Sequence, residues 1–423
     1  MKWLIKNARI LSATSPWDDQ VLDLLLVDGV IENVGAGLQD ADAQVFNAGA
    51  SLLSPGWLDI GCVHGDPGFE HREDLFSLAA AARAGGYTAI APFPNTNPPS
   101  DSQAQLQYLK HHKAHTQVDI HPIAALTEGV GGQAIAEMMD LYHAGAVAFS
   151  DGLKSIQHAG VMMRALEYVK PFRGLVINRP DELFLSAEGQ LHEGLESTLM
   201  GVPGIPPLAE ELMLYRDLRL ADYAQSRLMA YNISTAGAAD LIRTAKGSGL
   251  EVFASVAALN LAFDSTQLLN FDSNLKVLPP LRSAGDQEAL IEALRDGTID
   301  CITSGHLPLE ADLKLKEFPY TAFGAIGLET AFALAHTRLE KVMDVRLLVD
   351  KLANGPRRVL GLPIPEIKAG VPANFTIFDP QKEWVFSDRH IRSKSRNSPL
   401  LNRHLKGKVL ATFFRQEVQI NID

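Results

Sequence analysis

Between about residue 55 and residue 365 the chain alternates short apolar runs with longer stretches of helical period. The apolar runs fall at 58–62, 88–92, 119–125, 146–150, 175–178, 227–232, 251–256 and 300–303. Between most of them apolar positions recur three and four apart, as in 76–84 and 287–295. That spacing gathers them on one face of a helix. Strands alternating with helices in this way predict an α/β fold, a (β/α)8 TIM barrel of about 250 residues plus insertions. Periodicity alone leaves a doubly wound open sheet as the alternative.

The two ends read differently. Residues 3–6 and 21–27 are strand-like, and Asp28-Gly29 is a hairpin turn before Val30-Ile31. Near the other end, 374–378 and 409–414 are also strand-like. Two β-rich ends around a long middle predict one small composite β-sandwich domain from residues 1–54 plus 366–423, with the barrel over 55–365.

Composition narrows the function classes. The chain has 423 residues, 46% of them hydrophobic and 21% charged, as in soluble globular proteins. Net charge is -12, from 50 acids against 38 bases, which argues against nucleic-acid or anionic-membrane partners. The only cysteines, Cys62 and Cys301, form no Cys-x-x-Cys pair, so neither a disulfide framework nor a cysteine-rich zinc module is expected. No secretory signal and no apolar run of about 18 residues is visible, so a cytoplasmic setting is expected.

In a barrel of this kind the active site forms at the C-terminal ends of the strands. Those ends carry Gly61, Val63, Asn95, Asp151, Asn178, Asn232, Gly305 and His306. A zinc hydrolase needs several nitrogen or carboxylate ligands and an open position for water. Glycine and valine offer no side-chain ligand, and the neutral amide of asparagine is a poor one.

The segment from Leu58 through Pro67-Gly68-Phe69-Glu70-His71 resembles the first barrel strand of the dihydroorotases, whose pattern is Asp-x-His-x-His-Leu-Arg-Glu-Pro-Gly-Phe-Glu-His. The resemblance continues through Pro94-Asn95-Thr96-Asn97-Pro98-Pro99 and through Gly201-Val202-Pro203-Gly204-Ile205-Pro206. It extends through Lys276-Val277-Leu278-Pro279-Pro280-Leu281-Arg282, Phe323-Gly324-Ala325-Ile326-Gly327 and Ser393-Lys394-Ser395-Arg396-Asn397-Ser398-Pro399. It implies an amidohydrolase-type barrel. It also implies the family's activity, the reversible zinc-dependent cyclisation of N-carbamoyl-aspartate to dihydroorotate in pyrimidine biosynthesis.

Position by position, however, the resemblance implies a lost site. The metal histidines of the first strand fall on Gly61 and Val63, and those after the fifth and sixth strands on Asn178 and Asn232. The catalytic aspartate of the eighth strand falls on Gly305, and the substrate arginine on Gly65. Asp151 alone keeps a metal-position carboxylate, and could still coordinate a cation. Asn95, His306 and Gly324 are retained as substrate-pocket relics, while the pocket asparagine of Lys-Val-Asn is replaced by Leu278. Losses in separate segments with intact neighbours are not a register error.

Blander readings stand beside each candidate. A zinc site rebuilt from Cys62, His64, Asp151 and His306 would need Cys62 and His64 inside, but their parity is opposite to the family ligands and points them toward the helices. Asn95 lies in good turn chemistry in its own right. His111 and His115 share one helix face and read as solvated. The cations Arg392, Lys394, Arg396, Arg403, Lys406 and Lys408 read as the surface of the small domain.

The expected function is that of a dihydroorotase homologue with no intact catalytic residue and no bound metal. The family's non-catalytic homologues imply a structural partnership with aspartate transcarbamoylase and a homo-oligomeric assembly. The alternatives are an active zinc-dependent cyclic-amide hydrolase with an atypical site and a metabolite-binding sensor. Loss of the positive charge at Gly65 argues against tight carboxylate binding by such a sensor.

Overall fold

The computed structural model describes residues 1–421, and for residues 112–115 it describes no side chains. Eight strands form the barrel: Trp57–Ile60, Tyr87–Ala91, a third in two pieces (Asp119–Ile120 and Ile123–Ala124), Ala148–Phe149, Leu175–Asn178, Arg227–Ala230, Val252–Ala257 and Cys301–Thr303. Each pairs in parallel with the next. The open sheet is thereby excluded, because the eighth strand returns to the first.

The third strand was expected to run unbroken over 119–125. It is interrupted at Pro122, which has no N–H to give the ladder. Its first piece pairs back to the second strand and its second piece forward to the fourth. The Pro122 carbonyl still accepts from the Val147 N–H at 3.0 Å.

Strand residues alternate between two cores. Leu58, Ile60, Ala89, Ala91, Leu175, Ile177 and Met229 fill the barrel interior. Trp57, Ile90, Val176, Leu228 and Val256 face the surrounding helices. Burial on both faces is what a parallel sheet sheathed in helices requires. Among the helices, Leu75–Ala84 starts at Asp74, whose side chain accepts from the Ser77 N–H while Ser77 answers at the Asp74 N–H. Ala284–Arg295 has the same reciprocal cap between Ser283 and Asp286.

Strands from both ends of the chain build the second layer. They join in one eight-stranded sheet, in which Leu52–Pro55 from the N-terminal part pairs with Asn374–Val385 from the C-terminal part. Trp3 meets Phe413 edge-on at 5.8 Å, although their strands are not neighbours, so the sheet curls over its own core. The sandwich expected from the sequence is this one curled sheet.

Closure of the barrel rests on Asp59 in the first strand. Its carboxylate accepts from the Ser304 N–H at 2.7 Å and from the Ser304 hydroxyl at 2.6 Å, just beyond the eighth strand. The Val63 N–H adds a bond to the His306 carbonyl at 3.0 Å. Asp59 is fully buried, and burial pushes its carboxyl up to about 6 despite the two serine donors.

That shift sets a pH dependence. The folded pKa lies above the unfolded one, so the native state holds the proton more tightly. The benefit is complete below about pH 4 and is lost as pH rises through about 6, a swing of about 3 kcal/mol. Asp59→Asn keeps the shape and removes the charge. Urea unfolding between pH 4 and 7 should show wild-type stability falling relative to Asp59→Asn across this window. A parallel pair of curves would refute the assignment. Asp59→Ala, which strands the Ser304 N–H, should cost about 2–4 kcal/mol near pH 4, and its cost should shrink as pH rises through about 6.

Candidate functional site

The strand ends do converge. Gly61, Val63, Gly152, Arg179, Tyr231, Asn232, Gly305, His306 and Gly324 line one cavity of about 190 Å³ at the C-terminal mouth of the barrel. Its far wall is Val277, Leu278 and Phe323, from the long segment after the seventh strand and its continuation beyond the eighth. Two buried lysines hold that wall in place. Lys276 donates to Gln190 Oε1 and to the Phe318 and Pro319 carbonyls, and lies over the Phe323 ring at 4.7 Å. Lys314 donates to the Ser273 and Ala322 carbonyls.

Gly61 is the tightest point. Its φ is +83°, and a Cβ there would stand 2.5 Å from a ring carbon of Tyr231. The Tyr231 hydroxyl donates to the Gly61 carbonyl at 3.2 Å, and its ring meets Phe93 edge-on at 4.7 Å. The aromatic ring therefore occupies the space into which a side chain at 61 would project. Gly305 is different: a Cβ there would meet only Ala257, at an ordinary 3.4 Å. Gly65 has no such room, since a Cβ would lie 2.1 Å from the Phe69 carbonyl oxygen.

The remaining polar positions are occupied by structural bonds. Asn178 accepts from the Ile156 N–H at 3.1 Å and donates to Asp217 at 2.7 Å. The Asn232 carbonyl accepts from Ser255 Oγ at 3.1 Å and Thr303 Oγ1 at 2.7 Å. Asp151 accepts from the Leu126 and Thr127 N–H groups and from the Thr127 hydroxyl. Burial pushes its carboxyl up, although these donors oppose the shift. Asn95 lies off the cavity and spans the loop after the fourth strand, donating to the Asp151 carbonyl and accepting from the Leu153 N–H, both at 3.0 Å.

His306 reaches the cavity wall, yet its Nδ1 faces the Gly327 and Leu328 N–H groups at 3.2 and 3.4 Å. Its Nε2 lies 3.4 Å from Glu73, itself fully buried. Cys62 packs in the outer core, as its parity predicted. His64 is buried away from the cavity, and burial lowers its pKa to about 4. Among the described residues no three His, Cys, Asp or Glu side chains are placed to hold a metal ion. His115 lies outside the described side chains, so the pair with His111 is not placed.

This donor set does not fit a zinc centre. Among the described residues the imidazole at the strand ends is His306, whose Nδ1 is taken by the Gly327 and Leu328 N–H groups, the Asp151 carboxylate is taken by Leu126 and Thr127, and the Tyr231 ring fills part of the space. Burial pushes the Tyr231 hydroxyl well above its usual value. Two cavity residues escape a reading that follows only matched positions. Tyr231 precedes Asn232, and Arg179 follows Asn178. Arg179 is 9% exposed, and its visible protein partner is Asp181 at 3.3 Å.

Comparison with known proteins is consistent across the chain. The family model described as Dihydro-orotase-like matches residues 50–238. The chain is similar to a protein named dihydroorotase from Geotalea daltonii, 40% identical over 415 residues and 97% of each chain. A protein of the same name from Pelotomaculum thermopropionicum is 40% identical over 414 residues, again 97% of each. In fold it resembles an L-hydantoinase (dihydropyrimidinase) from Arthrobacter aurescens, with TM-score 0.85 at 22% identity over 99% of this chain and 97% of that one. A dihydropyrimidinase from Brevibacillus agri aligns with TM-score 0.82 at 21% identity, over 100% and 95% of the two chains. Barrel, curled sheet and full-length similarity agree: the chain belongs to the dihydroorotase family.

Proposed function

We propose that this chain is a dihydroorotase homologue of pyrimidine biosynthesis that has given up hydrolysis and serves as a structural partner of aspartate transcarbamoylase. One observation carries the non-catalytic half: at the strand ends the family's metal ligands are replaced, and the Tyr231 ring packs where a ligand at 61 would stand.

An exposed apolar row supports an assembly role. Leu208, Leu212 and Tyr215 share one face of the helix Pro207–Ala224 and are exposed. Leu183, Phe184 and Leu185 are exposed on the helix Leu183–Ser186, with Phe184 90% accessible. The Glu182 N–H donates to the Ala209 carbonyl at 2.9 Å, which sets these two helices side by side. Grouped exposed apolar side chains mark protein–protein contact surfaces. The occupant that fits the proposed role is a transcarbamoylase chain.

Two outcomes are expected. Protein purified with zinc present should carry less than about a tenth of an equivalent of metal, a level weak surface sites reach by mass action. It should not turn over dihydroorotate with added zinc. One or two tightly held equivalents together with turnover would restore the enzyme reading.

Steric replacement of the site predicts non-additivity. Gly61→His should cost at least about 3 kcal/mol, from positive-φ strain and overpacking. Tyr231→Ala should cost about 3 kcal/mol on its own. The double variant should lose less than the sum, because truncating the ring makes room. Additive losses in urea unfolding would show that the two positions do not compete for space.

Pull-down from the native host should recover aspartate transcarbamoylase at a fixed stoichiometry, and Phe184→Asp with Tyr215→Asp should abolish it. Recovery of nothing, or only of further copies of this chain, would remove the transcarbamoylase partnership.

A further inference from the structure

Of the cations that the sequence gathers near its end, all but Arg392 are met by a carboxylate, a carbonyl or a ring. Lys394 pairs with Asp74 and Lys406 with Glu340, both at 2.5 Å. Arg396 donates to the Asp388 carbonyl at 3.2 Å, and Arg403 lies over the Phe263 ring at 5.0 Å. Lys408 is only 4% exposed and lies over the Trp384 ring at 5.4 Å. The guanidinium of Arg392 has no acceptor among the described residues, and neither has that of Arg389; both line one cavity of about 230 Å³.

This cavity is separate from the chamber at the strand ends, and no residue lines both. It lies between the helix Ala331–Leu339 and the paired strands Asn374–Val385 and His404–Phe414, where Phe332, Ala333, Trp384 and Val409 make an apolar wall. Trp384 is fixed by its Nε1–H, which donates to the Gly407 carbonyl at 2.9 Å, and its ring meets His390 edge-on at 4.9 Å. His390 Nδ1 accepts from the Ser387 N–H at 3.1 Å, so the neutral ring carries its proton on Nε2. Burial lowers the His390 pKa, and the charges of Lys408, Arg389 and Arg392 press the same way. The carboxylate in the cavity wall, Glu329, is engaged by the backbone: one of its oxygens accepts from the Arg392 and Ser393 N–H groups, both at 3.0 Å. Even with Glu329 counted in full, the two arginines leave an excess of positive charge.

We infer that this cavity binds a small aromatic phosphate monoester, with Arg389 and Arg392 holding the phosphate and the wall of Trp384 and Phe332 receiving the ring. A guanidinium fork matches phosphate oxygens two at a time, and a pair of forks suits a dianion better than a monocarboxylate. An apolar cavity of about 150 Å³ accepts a benzene molecule, so about 230 Å³ has room for a ring and a phosphate. The inference does not depend on the proposed loss of hydrolysis, since it uses no residue of the strand ends. It revises the sequence-based reading of Arg392 and Lys408 as plain surface of the small domain. No bond is made or broken.

Calorimetric titration of the full-length protein tests it with phenyl phosphate, inorganic phosphate and phenol. Phenyl phosphate carries both features, and the other two carry one each. Phenyl phosphate should saturate with Kd below about 1 mM, and each half alone should bind at least about ten-fold more weakly. Arg389→Met combined with Arg392→Met should weaken phenyl phosphate at least about ten-fold. Trp384→Leu should weaken phenyl phosphate and leave inorganic phosphate unchanged. Arg179→Met, at the strand ends, should change nothing. No saturation by phenyl phosphate up to about 10 mM, equal binding of either half alone, or unchanged binding by the double arginine variant would each overturn the site. Loss of binding in Arg179→Met with the double variant unaffected would place the ligand in the other chamber and overturn it as well. Arg389 and Arg392 are exposed, so replacing them spares the fold. The double variant and the wild-type ratios therefore decide if Trp384→Leu or Arg179→Met does not fold.

Discussion

The buried carboxylate of Asp59 joins the two ends of the barrel, and the geometry of the cavity follows from that junction. By holding Ser304 it fixes the turn that carries Gly305 and His306, while the Val63 N–H seats on the His306 carbonyl. Positions 61, 63, 305 and 306, distant in sequence, are thereby placed around one chamber. Hydrogen bonds tie the strand ends together. Asn232 bridges to Ser255 and Thr303, Asn178 to Asp217 and the Ile156 N–H, and Tyr231 to the Gly61 carbonyl. Asparagine suits such positions because its amide offers both donors and acceptors where buried polar groups must be paired.

Much of this was legible in the sequence, because it depends on short-range pattern. The alternation of strands and helices and the β-rich ends follow from periodicity and turn chemistry. The replacement of the ligand positions follows from motifs whose neighbours are intact. The outward parity of Cys62 needed only the two-residue period of a strand. The third strand is the exception: it reads as one run over 119–125, and the missing N–H of Pro122 divides it.

What could not be read required three dimensions. Gly61 reads as a missing ligand, but only its positive φ and the approach of Tyr231 show that the space itself is taken. Gly305 reads as the same kind of loss, yet its surroundings are open. Asn95 reads as a pocket relic, whereas its side chain is spent on the loop after the fourth strand. Asp59 lies inside the quoted motif but closes the barrel through a residue 245 positions away. Arg179 occupies no matched position, so comparison of matched positions passes over it.

The cavity wall gives the last step of the argument. Lys276 and Lys314 are buried in the segment that covers the chamber, and they donate to Gln190 and backbone carbonyls rather than to carboxylates. Burial pulls the first down to about 8 and the second to about 7, the latter helped by the charge of its neighbour. Burying ammonium groups without an ionic partner is unfavourable, and apolar residues would hold a purely structural loop at lower cost. Arg179 is a third desolvated cation, and of the three it is the one that lines the chamber. The lysine donors go to Gln190 and to backbone carbonyls, so the two lysines fix the covering segment over the strand ends.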